Sequence, residues 1–190
     1  MNEEPIGLFK IFIIGKKGVG KSTLAKLLGF VTFDESIRPT IGVEIFPYNH
    51  SIKSSINNQF IRFHIWIYGP KYEFRNFLLL KNYLVGSKVI FIMFDVSDLT
   101  SLNEIDNWME VIRERSKLEF DVPIMLLGNK ADLTGHLGPA KVLADALVKK
   151  FGLMGYYEIS ALKSWNIELT FTTMAETLLK KYWPNLVKKL

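Results

Sequence analysis

Short apolar runs alternate with helix-like stretches along the chain. Leu8–Ile14, Val89–Phe94 and Val122–Leu127 are apolar with almost no alternation. A strand covered on both faces, as in a parallel sheet wrapped by helices, needs that pattern. Segments 42–49 and 60–67 read differently and are separated by the polar stretch His50–Gln59. They predict a hairpin with a long loop at the antiparallel edge of the sheet. Ser101-Leu102-Asn103-Glu104 has the form of a capping box opening a helix through about Lys117, with Leu102, Ile105, Met109 and Ile112 on one face. Pro139 suits the first turn of a helix toward Phe151. A last helix spans about Ile167 to Tyr182 and stops before Pro184. Strand–helix–strand crossovers are nearly always right-handed, so the expectation is a three-layer α/β sandwich. Ligands of such sheets bind at the carboxyl ends of the strands.

Two sets of polar residues fall at those ends. The first is Gly15-x-x-x-x-Gly20-Lys21-Ser22, which follows an apolar strand and opens a helix. Glycines let successive N–H groups turn inward around phosphate oxygens, and the helix start adds a positive dipole end. The expected phosphate contacts are Gly15, Lys17, Gly18, Val19, Gly20, Lys21, Ser22 and Thr23. Lys21 reaches the outer phosphates and the Ser22 hydroxyl ligates Mg²⁺. This loop specifies a nucleoside triphosphate without naming its base.

The second set is Asn129-Lys130-Ala131-Asp132, with Ser160-Ala161-Leu162 further on. The Asp132 carboxylate can accept two hydrogen bonds from the N1–H and exocyclic amine of guanine. Adenine lacks that pair and would strand a charge. The stem of Lys130 can cover the base plane, and a backbone N–H of 160–162 can meet the guanine carbonyl.

In this order the motifs resemble the Ras superfamily of small GTPases, the Rab branch most of all. Arg38-Pro39-Thr40-Ile41-Gly42-Val43-Glu44 is similar to the family's segment around its magnesium-binding threonine. Phe33 stands where the family places a ring over the guanine edge. Asn107-Trp108 and Asn166-Ile167…Phe171-x-x-Met174-Ala175 also look Rab-like. The resemblance covers about 8–182. It implies a P-loop G domain with a six-stranded, mostly parallel sheet, one antiparallel edge strand, and helices on both faces. It also implies GTP or GDP with Mg²⁺ as cofactors, Ser22 and Thr40 as metal ligands, and protein effectors, a GTPase-activating protein or an exchange factor as partners. Lys21 and Thr40 are then the expected catalytic pair.

The resemblance fails at the second switch. The family's Asp-x-x-Gly-Gln falls on Ile67-Tyr68-Gly69-Pro70-Lys71. No Asp or Glu occurs from Ile45 to Tyr72, and the only glutamine, Gln59, lies upstream. Ile67 removes an outer-shell anchor for Mg²⁺. Pro70 has no N–H for the γ-phosphate, although Gly69 can substitute if the loop shifts. Lys71 cannot orient water as glutamine does. Lys17 crowds a position where many relatives carry glycine. Lys71 and Lys17 either face solvent, leaving hydrolysis impaired, or one of them places an ammonium on the γ-phosphate in cis. Three functions stay open: a cycling switch with slow hydrolysis; a nucleotide-bound module that docks partners through Ile41, Val43, Ile45 and Trp66; and an ATPase or small-molecule kinase.

Composition narrows the setting. The chain has 190 residues, 48% hydrophobic and 23% charged, which suits one domain over 1–190 with a short basic tail at 183–190. Lys81 and Lys88 interrupt the most apolar region, so no membrane-spanning run is expected. Met1-Asn2-Glu3-Glu4 is unlike a signal peptide and lacks the glycine that myristoylation needs. With no cysteine there is no disulfide, no thiolate metal site and no prenylation of this chain. A net charge of +5, spread along the chain, is unlike the basic stripe of a nucleic-acid binder. A cytoplasmic monomer is the expectation. Peripheral membrane contact through Lys180, Lys181, Lys188 and Lys189 is the other reading of the basic end.

Overall fold

Every residue from Ile11 to Ile14 is buried, and the side chains divide between two cores. Ile11 and Ile13 point into one; Phe12 and Ile14 point into the other. The computed structural model describes residues 4–29, 43–52, 59–68, 82–115, 122–134 and 138–184. Within them the strands are β1 Gly7–Ile14, β2 Val43–Ile52, β3 Gln59–Tyr68, β4 Ser87–Asp95, β5 Ile124–Asn129 and β6 Gly155–Glu158. They form one sheet in the order β2-β3-β1-β4-β5-β6. Only the β2–β3 pairing is antiparallel. The helices are α1 Lys21–Leu27, α2 Ile105–Glu110, α3 Pro139–Phe151 and α4 Ile167–Tyr182. Leu24 of α1 and Phe171, Met174 and Leu178 of α4 cover one face. Trp108 and Met109 of α2, with Ala140 and Ala144 of α3, cover the other. This is the expected three-layer α/β fold with one antiparallel edge strand.

Two local expectations need correction. The hairpin strands are longer than the polarity pattern implied: His50, Ser51 and Ile52 pair with Ile61, Phe60 and Gln59. His50 is buried because its ring lies among Tyr48, Phe63 and Phe171 and its Nε2 meets the Thr172 hydroxyl of α4. Packing across the edge strand overrides the polar look of the residue. The second correction concerns the helix near 101. Its start is Asp98, whose Oδ1 accepts from the Thr100 N–H at 3.0 Å and opens a 3₁₀ turn at Leu99–Glu104. Ser101 is not the cap; its hydroxyl accepts from the Asp95 N–H and donates to the Asp98 carbonyl. Then comes α2, followed by a π-turn at Val111–Arg115. Leu102, Ile105, Met109 and Ile112 are buried together as expected. Pro139 opens α3 as expected, with Gly138 at the cap position before it, and Gly152, at φ 57, closes it in the left-handed region.

At the amino end of β1, Trp183 folds back over the sheet. Its ring centroid is 4.9 Å from that of Phe9, and a Cβ at Gly7 would lie 2.5 Å from the indole.

Candidate functional site

The carboxyl ends of β1, β4, β5 and the segment after β6 meet at one edge of the sheet. There the chain leaves β1 at Gly15, with φ 148 and a carbonyl of β4 so close that a Cβ would sit 2.0 Å from the Met93 oxygen. Gly20, with φ 101, is equally constrained, because a Cβ there would be 2.1 Å from the Asn129 Nδ2. These two glycines shape the turn that precedes α1.

Lys21 curls back over that turn. It is only 6% exposed, and its Nζ donates to the carbonyls of Gly15 at 2.7 Å and Lys16 at 2.9 Å. Burial pushes its pKa down to about 8, while Glu104 and Glu44 pull weakly the other way. Among the described residues no carboxylate is bonded to this ammonium. An anion resting on the turn would therefore relieve a buried positive charge. Ser22 and Thr23 are exposed at the start of α1, and Lys17 and Gly18 are exposed at the tip of the turn. Val19 is buried. Lys16 leans away, donating to the Thr100 hydroxyl at 2.9 Å with Asp98 at 3.7 Å.

Asn129 joins the two motifs. It is 2% exposed; its Nδ2 donates to the Val19 carbonyl at 2.8 Å and its Oδ1 accepts from the Ala161 N–H at 2.9 Å. One side chain thus ties the glycine turn to the segment after β6. Asp132 is half-buried, and its Oδ1 accepts from the Ser160 hydroxyl at 2.5 Å. Ser160 is fully buried and also accepts from the Lys163 N–H at 3.0 Å. Within 160–162 the hydroxyl and the amides have separate partners. Ser160 acts through its hydroxyl as a support for Asp132, and the Ala161 N–H is already used by Asn129. The Ser160 N–H donates to Trp165, which leaves the Leu162 N–H as the amide of the three that these bonds do not use.

Lys130 takes a left-handed backbone, φ 66, and its Nζ pairs with the Asp95 Oδ2. Asp95 ends β4 and is buried. Its Oδ1 accepts from the Ser97 N–H at 2.9 Å and hydroxyl at 2.6 Å. Burial alone would raise the Asp95 carboxyl, but the bonds from Lys130 and Ser97 outweigh it and hold it below the usual carboxylate range. Asp95 belongs to neither of the two sequence motifs. Its sequence signal was a lone acid closing the apolar run Val89–Phe94.

Phe33, Thr40 and Lys71, with Pro39, Gly69 and Pro70, lie outside the described residues. Ile67 does not: it is 1% exposed in the α1/α4-side core, paired with Ile13 and Glu44. Among the described residues no group of three or more His, Asp or Glu could hold a metal by itself.

A Ras-family sequence profile matches residues 10–180. The Ras-related protein Rab-13 of Bos taurus is 30% identical over 175 residues, covering 92% of this chain and 81% of the relative. Rab-13 of Mesocricetus auratus matches with the same identity and coverage. Over that span, with the sheet order and the Asn129-centred loop junction in place, the chain belongs to the Ras family of small GTPases and is Rab-like.

Proposed function

We propose that this protein is a guanine-nucleotide-binding switch with slow intrinsic hydrolysis, using GTP or GDP with Mg²⁺ and recruiting protein effectors. The observation that carries the reading is the arrangement of Asp132, Asn129 and Lys21 at one sheet edge. Ser160 orients the Asp132 carboxylate, Asn129 holds the loop beside the glycine turn, and Lys21 presents an ammonium over that turn. Asp132 would accept the two guanine donors, and Lys21 with the turn's N–H groups would hold the phosphate chain. The stem of Lys130 would cover the base, and the Leu162 N–H is the amide left to meet its carbonyl. Phe33 would cover the base edge.

Ser22 and Thr40 would ligate Mg²⁺, which when bound neutralises charge between the outer phosphates. Where relatives place a carboxylate for that ion, this chain buries Ile67, so the ion is held more loosely and hydrolysis slows. Pro70 and Lys71 weaken γ-phosphate sensing and water positioning further. Lys17 is exposed, as solvent-facing use or an in-cis cation both require. Single-turnover hydrolysis by Lys17→Ala and Lys71→Ala separates the two: a slower variant supports the cation, and unchanged rates for both remove it.

The second reading is a nucleotide-bound module that hardly cycles, docking partners through its edge. One correction applies: Val43 is 2% exposed and belongs to the core, so it offers no docking surface. Ile45, 49% exposed, remains on that edge, with half-buried Trp66 beneath the Lys10 ammonium and beside Tyr83. Ile41 lies outside the described residues. Nucleotide recovered after a day's incubation with GTP decides the matter. Conversion to GDP supports the switch, and persisting GTP supports the module. Tight ATP binding in competition with GTP would instead support a kinase or ATPase.

In the cell we assign it signalling or vesicle-trafficking roles from the cytoplasm. No helix of the described residues is long and apolar enough to cross a membrane. Salt-sensitive co-sedimentation with anionic liposomes, lost on deleting 183–190, is the result that would move it to a membrane surface.

A further inference from the structure

We propose that Asp95 is a positioning residue for guanine-nucleotide retention, acting by anchoring the head of Lys130. This rests on the guanine-binding reading above and adds a residue from a different strand to it. Three observations carry it. The strand register sets Asp95 directly beside Asn129, the residue before Lys130, and the Val96 N–H donates to the Asn129 carbonyl at 3.0 Å. The end of β4 is therefore fixed to the start of the base loop by backbone. Next, every hydrogen-bonding lobe of the Asp95 carboxylate that the structure fills has a different task. Oδ1 takes the N–H and hydroxyl of Ser97, and Oδ2 takes the Lys130 ammonium. Finally, the main chain behind the carboxylate is locked too, since the Asp95 N–H donates to the buried Ser101 hydroxyl at 3.0 Å.

Electrostatics decides what the lysine can do. Were Lys130 to swing toward the phosphates, it would leave Oδ2 buried without its cation, which is far costlier than keeping the pair. Its head stays on Asp95, and only its methylene stem is free to lie along a ligand. A flexible four-carbon chain fastened at both ends loses little further freedom when a base settles on it, so the anchored stem is preorganised. Asp95 then slows nucleotide release without choosing the base, a choice that remains with Asp132.

The test measures release of a fluorescent GDP analogue from the parent, Asp95→Asn, Lys130→Met and the double variant, with GTP-over-ATP preference read on the same samples. Lys130→Met keeps the stem and removes the ammonium. Each single change is expected to speed release roughly tenfold, the scale of one lost charge-assisted hydrogen bond. The double variant should be no faster than either, with the GTP preference of Asp95→Asn intact. Parent-like release by either single variant, or effects that multiply in the double, overturns the proposal, since a purely structural Asp95 would lower the melting temperature without sharing its kinetic effect with Lys130. If Asp95→Asn fails to fold, Lys130→Met alone decides by the same release rate. A parent that holds no guanine nucleotide overturns the guanine-binding reading together with this one; a parent that holds it beside a parent-like variant overturns this one alone.

Discussion

Lys21 and Lys130 stand at the same edge of the sheet and are treated in opposite ways. Lys21 is the more deeply buried, yet its ammonium meets only carbonyl oxygens, and burial lowers its pKa to about 8. Lys130 is the more exposed and has a dedicated carboxylate, whose pKa Lys130 itself and Ser97 hold below the usual range. A lysine with its counter-ion supplied is structural furniture for the loop. A buried lysine deprived of one would be relieved by an anion from outside. On the proposed function, the pair of environments would separate the half of the site that grips charge from the half that recognises a ring.

Four experiments press on that division, beginning with the largest effect. Asp132→Ala should reduce the preference for GTP over ATP by about a thousandfold or more, since the site loses the acceptor that matches guanine's two donors. Competition binding reads it, and an unchanged preference would put base recognition elsewhere. Asn129→Ala should follow, because it orphans the buried Val19 carbonyl and Ala161 N–H together. About 2–6 kcal/mol of stability is expected to go, at about 1–3 kcal/mol for each buried group left unpaired. Denaturant unfolding measures it, and a loss confined to nucleotide affinity would show that the loops do not need one another to fold.

The third experiment uses pH. Lys21 in the free chain gives up its proton near pH 8, and phosphate oxygens beside it favour the charged form. Binding above pH 8 must therefore take up a proton, and affinity should fall by up to about tenfold per pH unit there. Calorimetry in two buffers of different ionisation enthalpy reads the uptake, which Lys21→Met should abolish. The same depression has the opposite consequence for the empty fold. The ordinary value of 10.5 belongs to the unfolded chain, so the buried ammonium costs stability below pH 8, and that cost fades as pH climbs toward 10.5. The smallest effect belongs to Lys16→Ala. Its partners Asp98 and Thr100 are solvent-facing, and exposed pairs contribute little. An unchanged melting temperature is expected; a marked drop would make Lys16 part of the structural half.

Most of the fold could be read from the chain because its cues are local. Unbroken apolar runs announced β1, β4 and β5, and Pro139 marked the start of α3. The phosphate turn and the 129–132 loop declared their positions by spacing alone. What escaped was set by register between distant segments. Asp95 finds Lys130 only because β4 pairs with β5 with Asp95 beside Asn129, and no spacing rule conveys that. The same holds for His50, whose burial depends on Phe171 more than a hundred residues away along the chain, bonded next door through Thr172. Ser160 was expected to matter for its backbone, whereas a buried hydroxyl 2.5 Å from a carboxylate is a fact of tertiary packing.

The indole of Trp183 seated against Gly7 and Phe9 has a practical corollary. It brings the first and last described stretches of chain to the pole of the sheet opposite the glycine turn, one eight-residue strand away, or roughly 25 Å at about 3.3 Å per residue. A fluorophore or affinity handle attached near residue 4 or residue 184 would report on the protein without crowding its ligand.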